Sequence, residues 1–402
     1  MQQSYRHWWK LGLLLILLAL PLATQAQQTA SQIPNPTLPA LHVAGNQLLD
    51  PNNQAVKLRG FAIPDLEYVA KYRDGGIPAA INRITTTGSS SSAFHSRVVR
   101  LPVYPEPQGL PIDGWLANPD HYFSTYLQPA IQHCISRKVY CIIDWHWVSD
   151  YVVANNPNRT AYIQAATSAF WTRIAQAYPN HPNLLFELFN EPIEPFDWST
   201  WRATAQSWIK MIDQYSPESV ILVGAPHWSR DTSGALIDPF VGENIVYTSH
   251  IYPQHTRLRP TTPVTSTQQQ DQWQTWFGDT AEVYPVMLTE FGWDVCDADP
   301  DGESESGCSN EPIVGTTPSF GTPFRAFVDQ SAVVGWTAWV ADYCLGPVTF
   351  DYDWNVLGGN AHQGKFIRTW LYQKRTEFFP TPIGTGQAVP PFNVAPSLPD
   401  NC

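Results

Sequence analysis

The chain has 402 residues, 43% hydrophobic and 13% aromatic, with a formal net charge of −12 at pH 7. That length supports one large core, and the negative charge with no basic patch argues against a nucleic-acid partner. Charged residues make up only 14%, against an average of about 25%, which suits a protein handling a neutral ligand.

Taken from its start, the chain opens with Arg6 and Lys10, then an apolar run from Leu11 to Leu22, then Ala23-Thr-Gln-Ala26. This is the layout of a secretory signal peptide with a small-residue cleavage site. The run is shorter than the roughly 20 residues a spanning helix needs. Residues 1–26 are therefore expected to be removed, leaving a secreted protein, extracellular or periplasmic, that no longer meets a membrane. No cysteine follows the cleavage point, so a lipid anchor is not expected. Residues 27–40 read as an exposed lead-in, residues 41–379 as a single folded domain, and the Pro-rich residues 380–402 as a surface wrap. Cys134, Cys141, Cys296, Cys308, Cys344 and Cys402 read as disulfide partners in an exported chain, in the sequential pairs 134–141, 296–308 and 344–402.

Eight apolar runs follow one another: 56–61, 96–103, 139–146, 184–191, 220–224, 244–250, 286–290 and 333–339. They are rich in β-branched and aromatic residues, and few alternate with polar ones, as expected of parallel strands covered on both faces. Between them, Ile163, Ala166, Phe170, Ile174 and Ala177 recur at helical spacing, as do Trp201, Ala205, Trp208, Ile212 and Tyr215. Segments 120–137 and 363–377 are further helices. The alternation predicts an α/β fold, a (β/α)8 TIM barrel of one domain with long loops on its carboxyl-terminal face. A doubly wound sheet is disfavoured, because no Gly-rich dinucleotide loop follows any strand.

Two of these strands end in a glutamate: Glu191, in Phe-Asn190-Glu191-Pro192, and Glu290, in Leu-Thr-Glu290-Phe. Glycoside cleavage needs one carboxyl group to protonate the leaving oxygen and a second to attack or to activate water, and barrel chemistry gathers at carboxyl-terminal strand ends. Glu187 shares the parity of Glu191 but lies four residues earlier, about 13 Å deeper along an extended strand. It reads as a structural acid paired with Arg59. Arg100, His146, His250 and Tyr252 stand at other strand ends and Asn190 beside Glu191, where Arg100 would keep a nearby carboxylate ionised. Trp339 would stack on a sugar ring, and one or two of Trp145, Trp147, Trp228, Trp293 and Trp354 would join it. Asp297, Asp299 and Asp301 with Gly302 match the start of a calcium loop, but the twelfth position is Cys308 instead of glutamate.

In order along the chain, Arg59-Gly60, Val-Val-Arg100-Leu-Pro, Asp-Trp-His146, Phe-Asn190-Glu191-Pro192, His250-Ile-Tyr252, Leu-Thr-Glu290-Phe-Gly and Gly-Trp-Thr-Ala-Trp339 resemble family 5 of the glycoside hydrolases. The resemblance covers residues 40 to 375. It implies Glu191 as general acid/base and Glu290 as nucleophile. Arg100 and Tyr252 would stand around Glu290, with His146, Asn190, His250 and Trp339 holding the reacting sugar. The loops depart from the family pattern: His146 is followed by Trp-Val-Ser, and the loops after the seventh and eighth strands are long. The expected activity is endo-β-1,4-glucan hydrolysis on cellulose-like or mixed-linkage glucans, with retention, by a monomer that needs no cofactor. An endo-β-mannanase is the nearest competing reading, with β-1,3-glucan or glucosylceramide behind it. A catalytically silent carbohydrate-binding barrel is the non-enzyme reading, disfavoured because both acids are present. A serine hydrolase is disfavoured by the absence of a Gly-x-Ser-x-Gly elbow.

Overall fold

The structure is a computed structural model that describes residues 37–88, 91–256, 266–295 and 312–378. The expected signal peptide, most of the lead-in, the acidic loop with Asp297, Asp299 and Asp301, the 296–308 cysteine pair and the C-terminal wrap lie outside these residues.

Eight parallel strands close into a barrel: β1 (Leu58–Ala62), β2 (Val98–Val103), β3 (Tyr140–Trp145), β4 (Leu184–Glu187), β5 (Val220–Val223), β6 (Ile245–Ile251), β7 (Val286–Phe291) and β8 (Gly335–Ala338), with β8 pairing β1. All eight coincide with the apolar runs of the sequence. Strand pleating divides each run between two layers. Leu58, Val98, Ile142, Leu185, Leu222, Val246 and Met287 fill the barrel interior together with Leu38 and Leu41, which plug it from the amino-terminal side. Val99, Leu101, Ile143, Phe186, Ile221 and Leu288 face the helices. Gly60 is required on β1, because a Cβ there would stand 1.8 Å from the carbonyl oxygen of Val98.

The helices expected from periodicity are present as Pro157–Ala177, Trp198–Asp213 and Gly364–Lys374. The 120–137 segment folds as two α-helical pieces, Pro119–Tyr122 and Gln128–Ser136, joined by a π-turn. Between β5 and β6 a short 3-10 turn, Ser233–Leu236, stands where an α-helix would be. No described helix is long and apolar enough to cross a membrane.

Two expectations are overturned. Cys134 and Cys141 are free thiols. Both are buried in the apolar seam between helix Gln128–Ser136 and β3, where they pack as small hydrophobes. Arg59 does not reach Glu187: its side chain points outward and meets Glu377 at 3.6 Å. Leu58 and Gly60 take the inward positions of β1, so residue 59 faces the helix layer.

Candidate active site

The side chain of Glu290 reaches the barrel mouth because of an irregularity. Thr248 pairs with Met287 and Ser249 with Leu288, but His250 pairs with Glu290, so Thr289 is an extra residue on β7. With regular alternation from the inward-facing Met287, residue 290 would point at the helices. The bulge turns it back to the side of His250, and Glu290 is 5% exposed. Thr289 is held in place by its hydroxyl at 3.1 Å from His250 Nε2 and its carbonyl oxygen accepting from Thr337 Oγ1 at 2.6 Å.

Glu191 lies just beyond β4. The chain leaves extended geometry after Glu187, with Leu188 and Phe189 both buried among the helices. The amide of Asn190 donates to the Trp145 carbonyl and that of Glu191 to the Trp147 carbonyl, each at 2.9 to 3.0 Å. A short two-stranded sheet, Val148–Ser149 with Glu191–Pro192, fixes this path. The 13 Å depth expected for Glu187 is therefore wrong. His250 Nδ1 meets Glu191 Oε1 at 2.8 Å while its Nε2 stands 3.8 Å from Glu187 Oε1, so one imidazole spans both acids. Oxygens of Glu191 and Glu290 and a nitrogen of His250 all lie within 4.8 Å of one another.

Arg100, fully buried on β2, ties the rest together. Its Nη1 donates to Glu290 Oε1 at 2.6 Å, its Nη2 to Asn190 Oδ1 at 2.6 Å, and its Nε to Glu187 Oε2 at 2.5 Å. Asp144 approaches Nη2 at 3.0 Å and shares its Oδ2 with His146 Nδ1 at 2.5 Å. Tyr252 donates its hydroxyl to Glu290 Oε2 at 2.8 Å. Burial alone would raise the Glu290 carboxyl, but His250 and Arg100 outweigh it and hold the group below the ordinary value. Burial raises Glu191 above its ordinary value against the opposing pull of His250. His250 is itself pushed up to about 10, burial being outweighed by Glu290, Glu187 and Glu191. His146 falls to about 3, through burial and the nearby Arg100. The two carboxyls that face each other are thus biased toward opposite protonation states.

The aromatic residues sort by depth. Trp145, Trp147 and Trp293 are core, and Trp354 lies under the Arg83 guanidinium at 3.4 Å. Trp339 stacks over His146 at 5.2 Å between ring centroids, and Tyr104 covers the other side of the imidazole at 4.4 Å. Of the five platform candidates only Trp228 is exposed, at 36%, beside Phe196 at 50%. His227, Trp228 and Ser229 all take left-handed φ values, 67°, 59° and 51°. The amide of Trp228 donates to the Pro192 carbonyl and that of His250 to the Ser229 carbonyl, which holds this turn against Glu191. All eight sequence-predicted site residues therefore meet at one end of the barrel. Asp144, Tyr104 and Phe196 were not singled out, although Asp144 carries a signal: it lies two residues before His146 in the same apolar run, its side chain facing the barrel interior. Glu187, read as a structural acid, is buried as expected but pairs with Arg100 instead of Arg59.

The sequence matches the family described as Cellulase (glycosyl hydrolase family 5) over residues 49–343. It is 29% identical over 213 residues to an endoglucanase of Clostridium saccharobutylicum, covering 53% of this chain and 43% of that protein. It is 26% identical over 261 residues to endoglucanase E-5 of Thermobifida fusca, covering 63% of this chain and 48% of that protein. The chain thus spans less than half the length of these two curated relatives. Among solved structures, a β-glucanase from Saccharophagus degradans, also solved with cellotetraose, superposes with a TM-score of 0.67 at 23% identity, covering 86% of this chain and 99% of that one. A family match of that length, on a barrel of this topology, makes the chain a member of glycosyl hydrolase family 5.

Proposed function

We propose that the protein is a secreted retaining endo-β-1,4-glucanase acting on cellulose-like or mixed-linkage glucans. The observation that carries this reading is the approach of Glu191 and Glu290 to within 4.8 Å. Retaining pairs stand about 5–5.5 Å apart, whereas inverting pairs leave about 6.5–9.5 Å for a water. In the reaction, Glu290 attacks the anomeric carbon while Glu191 passes its proton to the leaving glycosidic oxygen. Glu191, now ionised, then takes a proton from water, which displaces Glu290 and restores both groups. Asn190, whose oxygen accepts from Arg100, keeps its NH2 to donate to a sugar hydroxyl. Trp339 and the exposed Trp228 and Phe196 offer flat apolar faces for sugar rings on the two sides of the scissile bond. The names of the relatives and the cellotetraose bound to the Saccharophagus enzyme support a β-glucan as substrate.

The test pairs Glu191→Ala and Glu290→Ala with reducing-end release on carboxymethyl cellulose, mixed-linkage glucan and galactomannan. Both variants are expected to fold and to lose hydrolysis of a glucan that the parent cleaves into oligosaccharides. Parent-like rates in either variant would sink the assignment, and preference for galactomannan would replace glucan by mannan.

A further inference from the structure

We propose that Glu187 is a positioning residue for this reaction: a buried carboxylate that touches no substrate and holds, through Arg100 and His250, the two cations that fix both reacting acids. The proposal rests on the acid and nucleophile roles given above to Glu191 and Glu290.

Glu187 is fully buried at the carboxyl end of β4. Its Oε2 takes the Nε edge of Arg100 at 2.5 Å. That leaves the other edge of the guanidinium to Glu290 and Asn190, each at 2.6 Å. A guanidinium is planar, so pinning Nε sets the direction in which both Nη groups point. The second oxygen, Oε1, has no hydrogen bond and stands 3.8 Å from His250 Nε2. On its far side the same imidazole holds Glu191 at 2.8 Å. One acid at the base therefore contacts the cation that grips the nucleophile and the cation that grips the acid catalyst.

A buried carboxylate oxygen without a donor is costly unless a charge compensates it, and the His250 imidazolium is that charge. The titratable and charged groups facing His250, and the Thr289 hydroxyl, come from five strands or the turns that follow them. They are Arg100 on β2, which shares Glu187 and Glu290 with it, Asp144 and His146 on and just after β3, and Glu187 and Glu191 on and after β4. Tyr252 and His255 follow β6, and Thr289 and Glu290 lie on β7. Of the carboxylates, Glu187 alone stands near Nε2 without also being a reacting group. A purely structural acid would stabilise the barrel without setting the charge of this imidazole.

Glu187→Gln keeps the shape and removes the charge. His250 is followed by histidine NMR, its signal assigned through its loss in His250→Gln. The imidazole is expected to stay charged through neutral pH in the parent and to titrate about 1–3 pH units lower in Glu187→Gln. On soluble β-glucan, kcat/KM is expected to fall about tenfold or more, with the loss in kcat and KM little changed. An unmoved His250 titration, or kcat/KM within about twofold of the parent, overturns the proposal. If Glu187→Gln does not fold, Glu187→Asp decides by the same two outcomes, since it withdraws the carboxylate from both cations by one methylene. The NMR signal needs no turnover, so it separates failure here from failure of the acid and nucleophile assignment, which Glu191→Ala and Glu290→Ala test.

Discussion

Arg100 divides its donors among Glu187, Asn190, Glu290 and Asp144 with no exposed surface. A buried cation in that position stays only because each edge is paired; removing one partner leaves an uncompensated charge. Tyr252 adds a fifth group to the network, donating to the Glu290 oxygen that Arg100 does not take. The resulting biases fix the sign of the pH response. Glu290 is held below its ordinary 4.5 and Glu191 above it. The kcat/KM profile is therefore expected to rise with a midpoint below that value and fall with a midpoint above it. Tyr252→Phe removes a donor to the ionised form, so the acidic limb should move up by about 1–2 pH units. A pH–rate series on both proteins checks this, and an unmoved acidic limb would contradict it. Glu191 and Glu290, the proposed acid and nucleophile, were legible as a facing pair because each ends an apolar run. Glu187 is the buried acid expected, but its depth below Glu191 is less than a straight strand gives, because the regular strand ends at residue 187.

Between strand and loop, small features decide where side chains arrive. Asp65 follows β1 and caps helix Leu66–Tyr72, its Oδ1 accepting from the amides of Glu67 at 2.8 Å and Tyr68 at 3.0 Å. Its Oδ2 accepts from the Tyr104 amide at 3.0 Å and the Tyr122 hydroxyl at 2.6 Å. One carboxylate thus ties the loop after β1 to the loop after β2, beside the ring that stacks on His146. Asp65→Ala is expected to lose about 2–4 kcal/mol, the cost of a helix cap plus a buried hydroxyl left unpaired. Urea melts should show a lower midpoint at unchanged slope. Neither this cap nor the β7 bulge can be read from composition. Met287-Leu-Thr-Glu290 reads as a plain strand, and only pairing with β6 reveals which residue is extra. Two of the five tryptophan candidates drop out for a related reason. Trp145 and Trp147 lie near the end of β3, but their rings turn into the helix layer and bury there.

The whole barrel is stabilised by an apolar interior below and a charged cluster above, and the cluster makes stability depend on pH. His250 is raised from 6.5 to about 10. The stability this shift contributes is complete below the unfolded value and is lost as pH rises through the folded one. Raised tyrosines such as Tyr247, at about 12, act in the same direction at higher pH. Unfolding free energy from urea melts is therefore expected to fall between about pH 6.5 and 10, and a flat profile across that range would contradict the assignment of charge to His250. The architecture was legible because eight runs buried on both faces permit few alternatives to a closed parallel sheet. The disulfide expected between Cys134 and Cys141 was not, since packing in the helix–strand seam makes both cysteines ordinary core residues. The supernumerary threonine of β7 has a last implication, for anyone transplanting this chemistry. Copying the letters around Glu290 into another barrel conveys nothing unless the host accepts one surplus residue at the same height; without it the grafted acid would look outward, in a protein that folds yet does no work.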